Sequence, residues 1–128
     1  MAFLLFQPLC VFSMNLDVSV TSAGNLVNQV DLAQIEQIQS LTLHGELNGT
    51  DILVIRKMKG LEYLDMTDTK IVNGGDSYYD EYTTSEDVIG SYFFDNPSLI
   101  TVYLPNTIER IDDYAFDRFS SLETVVIG

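Results

Sequence analysis

Residues 98–128 read SLITVYLPNTIERIDDYAFDRFSSLETVVIG, and this stretch carries one apolar block twice. Leu99, Val102 and Leu104 follow the spacing apolar-x-x-apolar-x-apolar, and Leu122, Val125 and Ile127 repeat it 23 residues later. The same spacing occurs upstream at Ile38, Leu41 and Leu43 and, 23 residues on, at Leu61, Leu64 and Met66. Between the two pairs the offset is 38, and the surplus of 15 falls on NGGDSYYDEYTTSED, residues 73–87, polar and glycine-containing as a surface excursion should be. Segments between blocks also match: Ile89, Tyr92, Phe94 and Asp95 stand at the offsets of Ile111, Tyr114, Phe116 and Asp117.

A period in the twenties with one short strand per unit is the mark of a stacked architecture, because a single unit cannot bury its own apolar face. The expected fold is an α/β solenoid. It would be a short leucine-rich repeat right-handed coil with a parallel sheet on its concave face. Residues 50–58, stopped by Gly60, read as a helix capped by Thr50 or Asp51. Residues 105–119 read as an extended piece and one helical turn near Tyr114–Phe119. Residues 14–37, with the alternating run Leu16–Val20 and a short helix over 21–30, read as an N-terminal cap, and residues 38–128 as the repeats. After Ile127 no polar cap follows, so the last strand is expected to present an open edge, which points to a fragment, a continuation lost, or an edge that pairs with another chain.

Residues 2–12, AFLLFQPLCVF, are almost wholly apolar but too short to span a bilayer. They have the length of a signal-peptide core, with Val11 and Ser13 small enough for a cleavage site, so residues 1–13 are expected to be the remnant of an export signal. No Lys or Arg precedes Arg56, which points to a start placed late in the leader or a truncated chain. Cys10 is the alternative lipid-attachment residue, although Leu9 stands where a small residue usually precedes it.

Composition narrows the partners. Of 128 residues, 19 are acidic and six basic, a net charge of −13 that opposes nucleic acid and anionic membranes. Residues 65–128 hold thirteen of the acids. One cysteine and one histidine leave no thiolate zinc site and no HExxH pair, so no metal and no cofactor are expected. The carboxylates of the insertion are of the kind that binds calcium, but no DxDxDG register organises them. His44 with a serine would be the only pair suited to nucleophilic hydrolysis, and no GxSxG elbow accompanies it. It is expected to be a surface or ladder residue. Asp112 and Asp113 are adjacent on a turn and would diverge rather than face one cleft. Asn48-Gly-Thr50 fits a glycosylation sequon, relevant only to a eukaryotic secretory route.

If the block leucines point inward, the alternating residues form an outer surface. Its rows are Ser40, Tyr63, Thr101 and Thr124, then Thr42, Asp65, Tyr103 and Val126, with His44 and Thr67 at the edge. Tyr63, Asp65, Thr101, Tyr103 and Val126 are the candidate partner-binding residues, because tyrosine offers area, a hydroxyl and few rotors. The insertion adds Tyr78, Tyr79 and Tyr82. The alternative for both regions is ordinary solvated surface.

Residues 98–128 closely resemble the BspA-type leucine-rich repeat, whose units look like SLxxVxLPxxIxxIxxxAFxxC. SLTLHGELNGTDILVIRKMKGLEYLDMTDTKIV and GGDSYYDEYTTSEDVIGSYFF look like the first repeats and the insertion of secreted or surface proteins of that family in Gram-negative bacteria. Phe119 and Pro97 stand where the family often has cysteine. The resemblance implies an exported, non-enzymatic protein, secreted or at the bacterial cell surface, that recognises or adheres to protein or glycan partners.

Overall fold

The computed structural model describes residues 14–117 and 119–128. Five strands form one parallel sheet in chain order: β1 (Met14–Ser19), β2 (Ile38–Leu47), β3 (Tyr63–Ile71), β7 (Thr101–Tyr103) and β9 (Thr124–Val126). Two minor sheets complete the strands described, an antiparallel hairpin of β4 (Gly74–Tyr79) and β5 (Tyr82–Thr84) and a parallel pair of β6 (Val88–Ile89) and β8 (Arg110–Ile111). The α-helix among the described residues is α1, Gly49–Arg56, and two 3₁₀ segments cover Leu26–Asn28 and Leu32–Gln37.

The apolar blocks fall into register. Leu41 lies opposite Leu64, Leu64 opposite Val102, and Val102 opposite Val125. Leu41, Leu43, Leu64, Met66, Val102 and Leu104 are buried in one core with Ile52, Ile55 and Met58. Each such side chain contributes roughly 2 kcal/mol by leaving water, which fixes the register, since a slip of one residue would turn every leucine outward.

The expected leucine-rich repeat solenoid is not the architecture. The molecule is a small mixed α/β fold built on a five-stranded parallel sheet. Its strand blocks repeat, but the segments joining them do not: an α-helix lies between β2 and β3, a hairpin and β6 between β3 and β7, and β8 with turns between β7 and β9. A coil requires the whole unit to recur, and apolar spacing reports only the strand half of it.

Local differences have local causes. The alternating run expected as a strand in the N-terminal segment forms β1, beside β2, with Asn15 opposite Ser40 and Asp17 opposite Thr42. Asn48, not Thr50 or Asp51, caps α1: its side chain accepts from Thr50 N at 3.0 Å, and Asp51 closes the capping box from Asn48 N at 2.9 Å. This cap also engages the Asn48 side chain of the sequon within the fold. No helical turn forms at Tyr114–Phe116; turns follow β8 instead. The insertion is ordered against α1, so closely that a Cβ on Gly49 would stand 1.9 Å from Asp76 O. The expected leader, with Cys10, lies on residues 1–13, outside the described residues.

Two buried polar side chains hold the helix. Asp51, fully buried, accepts from the backbone N–H of Gly24 at 2.6 Å and Leu26 at 3.0 Å as well as from Asn48. At the other end Asn96 donates to the carbonyls of Ile55 and Met58 at 2.9 and 3.0 Å, a second donor to each beside the backbone N–H groups of Met58 and Leu61.

Candidate functional site

Strand alternation puts Asn15, Ser40, Tyr63, Thr101 and Thr124 in one outward row and Asp17, Thr42, Asp65, Tyr103 and Val126 in the next. The expected face therefore exists, widened by the residues of β1. Tyr63 and Tyr103 approach with ring centroids 5.6 Å apart, tilted by 53°. Partial burial, then the Asp65 charge and Tyr103, raise the Tyr63 phenol above its ordinary value. Asp65 itself accepts from Thr67 N at 2.9 Å, which fixes its carboxylate beside the rings. Thr101 and Val126 border the pair in partly buried positions.

At one end of this face His44 bridges two strands. Its Nε2 lies 2.8 Å from Asp17 Oδ1 on β1 and its Nδ1 2.8 Å from Asp68 Oδ2 on β3. Only an imidazolium donates from both nitrogens, and the hydrogen bonds to Asp68 and then Asp17 accordingly raise the His44 pKa above 6.5. Ser19 lies opposite His44 in the sheet. Both ring nitrogens are nonetheless engaged by carboxylates, so the imidazole is not poised to take a proton from a hydroxyl. Spacing of 24 rather than 23 between His44 and Asp68 reflects a register shift in the β2–β3 pairing.

Beside the bridge an open groove of about 520 Å³ runs along Gly45, Asp68, Lys70 and Asn106. Lys70 spans its rim to both carboxylate oxygens of Asp87 at 2.9 Å. That bond raises the Lys70 pKa and lowers that of Asp87.

The three insertion tyrosines separate. Tyr78 is buried against Phe93 and donates its hydroxyl to Ser91 O at 2.7 Å; burial pushes its pKa up to about 12. It belongs to the core and not to an outer surface. Tyr79 and Tyr82 stack at 6.3 Å with 10° between planes. They continue into Tyr92, 5.4 Å from each, and from Tyr92 to Tyr114, 5.6 Å away and parallel to within 4°. The Arg56 guanidinium lies 4.8 Å over the Tyr79 ring. Tyr92 and Tyr114 were not among the expected site residues, although their shared offset in the mirrored segments was the available signal.

No protein-family model matches the chain, and no curated protein matches it. Among the described residues no helix is long and apolar enough to cross a membrane. Nor is any group of three or more His, Cys, Asp or Glu among them arranged to hold a metal ion.

Proposed function

We propose that the chain is a non-enzymatic recognition or adhesion module, exported to the bacterial cell surface or medium, that binds a protein or glycan partner through the outer sheet face and the insertion. The carrying observation is the Tyr63–Tyr103 pair, set beside a carboxylate held by its own backbone hydrogen bond. Two tyrosines on adjacent strands of a rigid sheet give contact area with little entropy to lose on binding. The double engagement of His44 weighs against hydrolysis and for binding. The resemblance of residues 98–128 to BspA-type repeats points to export and adhesion. A glycan and matrix-protein array with the purified chain tests this: binding is expected, and Tyr63→Ala with Tyr103→Ala should remove it. Retention of every interaction by that double variant would reject the outer face as the site.

A second reading, a structural or assembly unit, is favoured by β9. Among the described residues it pairs on one side only, with β7, and it carries Val125 exposed and Ile127 at 62% exposure. An unpaired edge of this kind is a template for another strand. Light scattering of the parent and Ile127→Lys tests it: a dimer or larger species converted to monomer supports assembly, and a monomer in both rejects it.

A further inference from the structure

On the helix side of the sheet Tyr79, Tyr82, Tyr92 and Tyr114 form a continuous ladder, open at its outer members: Tyr82 is 40% exposed and Tyr114 61%. Tyr92 and Tyr114 hold this position with φ of +56° and +65°. Bulky aromatic residues rarely adopt that conformation, whereas glycine or asparagine would adopt it with less strain. Tyr92 N donates to Tyr114 O at 3.0 Å, which locks the two backbones together. Core burial does little to offset that strain at Tyr114, which is 61% exposed and stacks on Tyr92.

The surroundings specify the partner's charge. Asp80 and Glu81 form the exposed turn between Tyr79 and Tyr82, Asp113 precedes Tyr114, and Asp117 is close enough that its charge adds to the burial that raises the Tyr92 phenol. Arg56 is engaged over Tyr79 and by Asp95, and Arg110, leading into Tyr114, is held by Asp112 at 2.6 Å. The inner end of the ladder thus already takes one guanidinium on a ring face. The outer end offers the same aromatic faces beside carboxylates that form no ion pair among the described residues, on a chain of net charge −13.

We propose that the ladder docks an arginine-bearing basic segment of a partner protein, its guanidinium groups stacking on Tyr82 and Tyr114 and pairing with Asp80, Glu81, Asp113 and Asp117. Arginine fits better than lysine because its planar cation both stacks on tyrosine and forks to a carboxylate. The proposal deepens the recognition reading above at the insertion, and it shares no residue with the Tyr63–Tyr103 pair.

Fluorescence anisotropy with labelled arginine and lysine nonapeptides, at about physiological salt so that long-range attraction is screened, tests it. The arginine peptide should bind roughly tenfold more tightly, the scale of one or two stacked cations. Tyr82→Ala with Tyr114→Ala should abolish that preference, and Asp80→Asn with Glu81→Gln should weaken both peptides. Tyr114→Asn, suited to the left-handed backbone, should reduce the preference without loss of helix and sheet signal in circular dichroism. Equal binding of the two peptides, or an arginine preference that survives the tyrosine changes, overturns the proposal. So does loss of a neutral oligosaccharide, with peptide binding untouched, in the ladder variant. Because Tyr63→Ala with Tyr103→Ala leaves the ladder intact, failure here and failure of the outer-face reading are separable.

Discussion

Replacing Asp51 by alanine would remove the common acceptor of three backbone N–H groups, those of Gly24, Leu26 and Asn48, at 2.6, 3.0 and 2.9 Å. Asp51 is fully buried, so water does not readily replace the lost carboxylate. An unsatisfied buried donor costs about 1–3 kcal/mol. Three would cost up to about 9 kcal/mol in a rigid site, and partial relaxation of the 3₁₀ segment at Leu26–Asn28 brings the expected loss to roughly 4 kcal/mol. For a domain of this size that is a fall in Tm on the order of 15 °C. Asp51→Asn retains one acceptor but turns an NH₂ toward donors, and should lose about as much. Urea unfolding followed by circular dichroism, with the slope m unchanged, measures the difference. A loss under about 1 kcal/mol for Asp51→Ala would show that the three bonds do not hold the N-terminal segment to α1, and would refute the reasoning.

Protonated His44 strengthens the β1–β2–β3 end of the sheet. Its folded pKa lies above 6.5, so the contribution is complete below that value and lost as pH rises through the folded pKa. The urea midpoint should therefore fall as the pH is raised from below 6.5 through the folded pKa, and His44→Gln should remove that component; an identical pH profile for parent and variant contradicts the bridge. Asn96→Ala removes two buried hydrogen bonds, to the carbonyls of Ile55 and Met58, which keep the backbone N–H groups of Met58 and Leu61; it should destabilise by about 1–2 kcal/mol, measured by the same unfolding curves. Asp80, exposed in the β4–β5 turn, has φ of +50°, and Asp80→Gly should raise stability by about 0.5–1 kcal/mol through relief of that strain. A lower Tm for Asp80→Gly would argue that the aspartate makes a compensating contact.

The sequence determined the strands of the main sheet and the register of their apolar blocks. The apolar spacing that recurs from Leu41 to Leu64, Val102 and Val125 places those residues opposite one another, because that alignment buries the block side chains of β2, β3 and β7 on one face. The outward row with Tyr63, Asp65 and Tyr103 follows from the same two-residue period. Of the segments that join the strands, the helix between β2 and β3 was legible from its polar cap and Gly60, and the hairpin and the β6–β8 pair were not. Apolar periodicity carries no information about whether a connecting segment becomes a hairpin or a chain of turns, and the tertiary structure alone replaced the expected α/β solenoid by a small mixed α/β fold. Only the tertiary structure, too, turned Tyr78 inward to Ser91 and assembled Tyr79, Tyr82, Tyr92 and Tyr114 into one ladder. Those four residues come from three separate segments, so no local pattern joins them. Likewise Asp17, His44 and Asp68 meet through strand pairing and one register shift. Hydrophobic burial is written along the chain as a repeating pattern, whereas contacts between polar and aromatic groups depend on where the folded backbone brings distant segments together.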